Sequence, residues 1–137
     1  MLPATQTERL MIREAADVVW ARSLVRRLAA GIGFGSADQT RMATAVSELS
    51  RNVVQYAGEG FCEIVDVSDD ATMRIRIRVE DRGPGIADIT KAMKDGYSTS
   101  GGLGAGLPGT RRLMDEFSIE SSPGMTCIAI GMARKRP

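Results

Sequence analysis

The chain has no histidine and only two cysteines. Without histidine there is no serine–histidine or cysteine–histidine relay, so that route to nucleophilic catalysis is closed. Cys62 and Cys127 lack the paired spacing of a zinc site. Both lie in apolar, strand-like runs, which reads as two buried thiols in a reducing cytoplasm. Lysine is also scarce, with three residues, and arginine supplies most of the cations. The net charge of +1 gives no overall bias toward nucleic acid or an acidic membrane. No run approaches the roughly 18 apolar residues of a membrane helix, and no leader pattern is expected at the N-terminus.

What is present suits one soluble globular domain. The 137 residues are 43% hydrophobic and 26% charged, enough for a single core. One domain is expected over 1–137, with its core from about 8 to 132. The most unusual stretch is Gly101-Gly102-Leu103-Gly104-Ala105-Gly106-Leu107-Pro108-Gly109. Such a run costs much backbone entropy to order and packs no core. A helical pattern follows, from about Leu107 to Phe117. A glycine loop feeding a helix N-terminus presents bare amides and the positive end of a dipole to an anion. A phosphate cradle is one reading; a hinge or a set of tight turns is the other. The letters of G-x-G-x-x-G occur at Gly104–Gly109, but no strand leads into them, as a dinucleotide fold requires. The Gly-Lys-Ser/Thr ending of a Walker loop is missing, as are the lysine and H-R-D motifs of eukaryotic-type kinases.

Arg9 to Glu14 reads as a short strand. Residues 15–32 read as a helix with Val18, Leu24, Val25, Leu28 and Ile32 at helical spacing. Trp20, Arg22, Arg26 and Arg27 occupy much of its remaining surface, either as a solvated face or as a docking face for a partner. Ser36-Ala37-Asp38-Gln39 has the form of a capping box. The helix expected after it runs to about Tyr56, with Met42, Ala45, Val46, Leu49, Val53 and Tyr56 as its apolar stripe. At about 100° per residue, Glu48 and Asn52 sit side by side at the stripe's edge. An amide oxygen there can ligate a hard cation such as Mg²⁺, and a carboxylate beside it can accept a proton. An ordinary polar helix edge is the alternative.

Phe61 to Val67 is a strand, and residues 73–81 are the clearest one. Met73, Ile75, Ile77 and Val79 alternate with Arg74, Arg76, Arg78 and Glu80. Asp81 falls in register with Val79, on the buried side. An inward carboxylate needs a donor. The exocyclic amine of a purine is one; a turn outward to cap the next loop is the alternative. Gly83-Pro84-Gly85 then makes a tight turn where a flat ring can lie against backbone. Asp88 to Asp95 reads as a short helix and Gly96 to Gly102 as a polar lid. Ser118–Ser121 and Met125–Arg134 close the chain as two strands around Pro123-Gly124.

Three pieces stand in order: Glu48-x-x-x-Asn52, Asp81-x-Gly83-x-Gly85 and Gly102-x-Gly104-x-Gly106. Together they resemble the asparagine box and the two glycine boxes of the GHKL ATPases, the family of gyrase B, the histidine kinases and MutL. Small size and a short lid make the chain similar to the stand-alone anti-sigma and switch kinases of that family. Ser47-Glu48-Leu49-Ser50-Arg51-Asn52, Gly33-Phe34-Gly35 and the run from Gly96 to Gly109 carry that likeness, which spans about residues 8 to 132.

The resemblance implies a fold and a set of roles. The fold is an α/β (α+β) two-layer sandwich of the Bergerat type. Its sheet is mixed and mostly antiparallel, covered on one face by helices. ATP is the expected substrate, with Mg²⁺ held by Asn52 and Glu48 as the base. Asp81 binds the adenine amine, and Gly83, Gly85 and Ile86 line base and ribose. Gly101, Gly102, Leu103, Gly104, Ala105, Gly106 and Leu107 wrap the phosphates. Thr126 stands where relatives carry an adenine-contacting threonine, although Met125 replaces the glycine before it. Lys91, Arg111 or Arg112 would supply charge to the γ-phosphate. The implied activity is a cytoplasmic ATP-dependent protein serine/threonine kinase. It acts on a STAS-domain partner in bacterial stress-response partner switching, with a phosphatase regulatory domain as a second partner. Neither nucleic acid nor membrane is expected as a partner. A kinase that sequesters a sigma factor is one alternative, and an ATP-gated binding module with little catalysis is another.

Overall fold

In the computed structural model the described residues are 7–85, 93 and 106–137. Five strands form one sheet: β1 (Thr7–Ile12), β2 (Gly60–Asp66), β3 (Thr72–Asp81), β4 (Glu116–Ser122) and β5 (Met125–Lys135). Their spatial order is β1-β2-β3-β5-β4. The expected mixed, mostly antiparallel sheet is antiparallel at every described pairing. Alternation decides its faces. Met73, Ile75, Ile77 and Val79 are buried on β3 while Arg76 and Arg78 are exposed. Cys62 and Ile64 from β2 and Ile128, Ile130 and Met132 from β5 complete the buried face.

Two long helices cover that face, α1 (Ala15–Ile32) and α2 (Ser36–Asn52), packed on one another. α1 buries Val18, Ala21, Val25 and Ala29. α2 buries Met42, Ala45, Val46 and Leu49, as the stripe predicts. A short helix α3 (Gly106–Leu113) packs against α2. The result is two layers, with the apolar core between the sheet and the helices. The opposite face of the sheet stays polar. There the Arg9 guanidinium lies 3.7 Å from the Phe61 ring centroid, and Arg78 pairs with Glu63 at 3.4 Å.

Several local expectations are corrected. Ser36 does not cap α2; it is already its first helical residue, behind an extended Gly35. Gln39 donates to the Phe34 carbonyl at 2.9 Å instead of closing a box. The side-chain cap in use is at α1, where the Asp17 carboxylate accepts from the Arg13 and Glu14 amides at 2.8 and 3.1 Å. α2 ends at Asn52 and runs on as a π turn, Val53–Ala57. That wider turn leaves Tyr56 exposed rather than in the core. α3 stops at Leu113, and Phe117 belongs to β4. The Asp115 amide already donates to the Gly131 carbonyl at 3.1 Å, so the chain has joined the sheet by then. Phe117 and Ile119, two apart, share the half-buried side of that strand. Of the thiols, Cys62 is buried and Cys127 only partly so. Burial, with Glu63 beside it, pushes the Cys62 thiol up to about 12, which leaves it unreactive. Among the described residues no helix is long and apolar enough to cross a membrane.

Candidate functional site

The site is built at the end of β3. Asp81 pairs across the sheet with Gly60 on one side and Thr126 on the other. Its Oδ1 accepts from the Gly83 amide at 2.9 Å, which fixes the turn that follows. The side chain is half-buried. Loss of water pushes its carboxyl above the ordinary value, the Gly83 amide pulls it back, and neighbouring Glu80 pushes it up again. Oδ2 receives no hydrogen bond from any described residue. A half-buried carboxylate with one oxygen engaged and one left over suits an incoming N–H donor.

Close backbone approach joins this strand end to its neighbours. A Cβ on Gly83 would stand 2.6 Å from Ala57 Cβ and 2.9 Å from Ala57 Cα. The turn after β3 is thereby pressed onto the π turn at the end of α2. A Cβ on Gly60 would meet Glu80 O at 2.3 Å and Val53 Cγ1 at 2.9 Å, and Val53 directly follows Asn52. Gly85, at φ +83°, passes so near β4 that a Cβ would meet Ser122 O at 2.3 Å and Ser121 Oγ at 3.2 Å. Ser121 Oγ in turn lies 2.9 Å from Thr126 Oγ1. Thr126 is buried and lies beside Asp81 in the sheet. Ser121, Gly60 and Ala57 were not identified from the sequence. Only the β4–β5 register, which puts Ser121 opposite Thr126, reveals the first. The other two carry no motif, just small size at a crossing point.

Glu48 and Asn52 project from the last turns of α2, and both are half-buried. Glu48 Oε2 is held by Arg51 Nη1 at 2.9 Å, with Arg51 itself largely exposed. Gly106, at φ +67°, is the first residue of α3, and Leu107 is buried behind it. The Gly106 carbonyl accepts from Thr110 Oγ1 at 3.1 Å. Because α3 packs on α2, the end of the glycine run and the Glu48–Asn52 pair belong to adjoining helices. Arg111 and Arg112 are exposed in the last turn of α3, away from its loop-facing end. Ile86, Lys91, Gly101, Gly102, Leu103, Gly104 and Ala105, with the expected 88–95 helix and the 96–102 lid, fall outside the described residues. No trio of His, Cys, Asp or Glu among the described residues can hold a metal by itself. A lone amide oxygen such as that of Asn52 fits Mg²⁺, which takes few protein oxygens when phosphates supply the rest.

A family described as "Histidine kinase-like ATPase domain" matches residues 12–132. The serine/threonine-protein kinase RsbT of Bacillus subtilis (strain 168) is 56% identical over 108 residues, covering 79% of this chain and 81% of that protein. An anti-sigma F factor of Caldanaerobacter subterraneus subsp. tengcongensis is 32% identical over 109 residues, covering 77% and 76%. Among solved structures, the RsbU and RsbW domains of a Mycobacterium tuberculosis protein superpose with a TM-score of 0.66 at 20% identity, covering 98% of this chain and 34% of that one. The mycobacterial sensor histidine kinase MprB superposes with a TM-score of 0.56 at 18% identity, covering 96% and 99%. These structural likenesses concern the fold.

Proposed function

Because the chain belongs to the histidine kinase-like ATPase family, we propose that it is an ATP-dependent protein serine/threonine kinase acting on a STAS-domain partner in bacterial stress-response partner switching. The observation that carries this reading is the junction at the end of β3. There Asp81 holds the turn at Gly83, Thr126 is paired beside Asp81, and Gly83 is pressed onto Ala57 of the π turn that continues α2, the helix that bears Glu48 and Asn52. Asp81 Oδ2 accepts from the adenine amine, with Thr126 beside it. Gly83 and Gly85 offer bare backbone to base and ribose, and Ile86 continues that wall. The run Gly101 to Leu107 wraps the phosphates, its last two residues entering α3.

Asn52 is the residue that would hold Mg²⁺, which supplies charge neutralisation at the phosphates when bound. In the transfer, a partner's serine or threonine oxygen bonds to the γ-phosphorus. The bond from that phosphorus to the β–γ bridging oxygen breaks, and ADP leaves with the electron pair. The hydroxyl proton passes to Glu48. Arg51 holds one oxygen of Glu48, which fixes the rotamer while the other oxygen remains for the proton. The same partner-switching role includes binding a phosphatase regulatory domain. A second reading, sequestration of a sigma factor, is favoured by the relative named anti-sigma F factor.

The test is incubation with ATP, Mg²⁺ and a STAS-domain protein, read by mass spectrometry of the partner. A phosphorylated serine or threonine is expected. Glu48→Ala is expected to bind ATP as the parent does and to lose transfer by about 10²–10⁴-fold. Full-rate transfer by that variant removes Glu48 as the base. ATP binding and partner binding without any phosphorylated residue would support a nucleotide-gated module instead.

A further inference from the structure

The outward side of α1 takes no part in the site described above. Along it, Ala16, Trp20, Ser23, Arg27 and Ala30 recur at spacings of four and three residues, and all five are exposed. That spacing is the seam along which one helix receives another. It lies across α1 from the buried Val18, Ala21, Val25 and Ala29. Trp20 is the only tryptophan of the chain, and it is 66% exposed, with Val19 beside it at 49%. The buried core does not include it. Small residues on either side of Trp20 leave room for close approach. Tryptophan is enriched among the side chains that anchor interfaces.

The charge around it has one sign. Arg27 stands in the seam, and Arg26 and Arg22 lie along one flank of it. No salt bridge engages these three among the described residues. Arg26 donates only to the neutral Thr40 hydroxyl, at 3.2 Å. Asp17, the one acid of α1, is occupied at the helix start by two backbone amides. A partner segment that answers this face has apolar side chains opposite Trp20 and acids opposite the arginines. We propose that the outer face of α1 docks an acidic amphipathic helix of a partner protein, with Trp20 as the anchor and Arg26 and Arg27 selecting for the acids. This surface is separate from the nucleotide site, so its test does not depend on phosphoryl transfer.

Trp20 is its own reporter. The full chain is titrated with a tryptophan-free synthetic peptide of about three heptads, leucine at the seam positions and glutamate on the flanks. The control peptide carries lysine for every glutamate. The acidic peptide is expected to shift Trp20 emission to the blue, saturably and more weakly as salt rises, and the lysine peptide is expected to leave it unmoved. In anisotropy titrations with labelled peptide, Trp20→Ala and the double variant Arg26→Glu/Arg27→Glu should each weaken binding by about tenfold or more. All three positions are exposed, so melting curves close to the parent's are expected. Should Trp20→Ala melt early, Trp20→Gln takes its place. The absence of a saturable shift, an equal response to the lysine peptide, or undiminished binding by the double variant overturns the proposal. An emission shift that follows protein concentration alone assigns the face to a second copy of this chain. A larger shift with anionic phospholipid vesicles than with the peptide assigns it to a membrane surface. Either result also overturns it.

Discussion

Asp81 carries an unfavourable burial that the proposed nucleotide would offset. Its carboxyl is pushed above the ordinary value by burial, so the folded chain holds the proton to higher pH than the unfolded chain does. The group's contribution to stability is therefore full below the ordinary carboxyl value and is lost as pH rises through the raised one. Asp81→Asn removes this titration. It also keeps an oxygen to accept from the Gly83 amide, so the turn survives. The nucleotide-free variant is expected to melt above the parent at pH 7, with the gap closing toward acid. Its amide nitrogen, however, faces the adenine amine as a second donor, and ATP binding should weaken by about 2–4 kcal/mol in calorimetry. An unchanged affinity would remove Asp81 from the adenine. Alternation along β3 made the inward aspartate legible. It did not show that a half-buried Asp81 also caps the next turn, its Oδ1 accepting from the Gly83 amide. Ser121 was not legible, because it reaches Thr126 only through strand pairing, which no local pattern encodes.

Among the elements, helical spacing made α1 and α2 legible, along with the Glu48–Asn52 pair, because amphipathic periodicity is a strong local signal. Boundaries were less legible where two periods coincide. Phe117 continues the helical pattern of Leu113 and Met114 and also alternates with Ile119; tertiary pairing with β5 gave it to the strand. The π turn after Asn52 has no sequence signature, yet it forms the floor of the site. Gly83 tests that floor. Its Cβ would collide with backbone as well as side chain at Ala57, and no rotamer change relieves a backbone clash. Gly83→Ala should cost about 1–3 kcal/mol and weaken ATP binding as the turn lifts off. Gly31→Ala is the matched control. It lies near the end of α1 with nothing within 4 Å of the added methyl, and it should stabilise the fold by about 0.5–1 kcal/mol. Thermal melts with and without ATP separate the two. Equal effects at both positions would mean that the Gly83–Ala57 contact is not what joins the turn to α2.

For the molecule as a whole, one sheet with helices on one face came from the family resemblance, and strands of period two and helices bearing a single apolar stripe agree with it. Strand order did not, since nothing local says that β5 enters between β3 and β4. Yet that insertion is what sets Thr126 beside Asp81 and sends Gly85 past Ser121. The site is therefore a property of the topology. It draws on the end of β3, the end of α2, the β4–β5 hairpin and the start of α3, joined there by strand pairing and close packing. Arg134 shows how such ties are made elsewhere, pairing with Asp38 of α2 at 3.0 Å and with Asp115 before β4 at 2.7 Å. At the candidate site the proposed ligand would add a further tie. Free ATP at about 100 times its dissociation constant adds roughly 2.7 kcal/mol to the folded state. For a domain of this size that is a rise of about 8–13 °C in Tm. With Mg²⁺ present the rise should be larger. Asn52→Ala is expected to keep the metal-free shift and lose the increment due to Mg²⁺. Scanning calorimetry with ATP in EDTA and in Mg²⁺ reads both quantities from one pair of runs. A variant that retains the full Mg²⁺ increment would take the metal away from Asn52 while leaving the adenine end of the site standing.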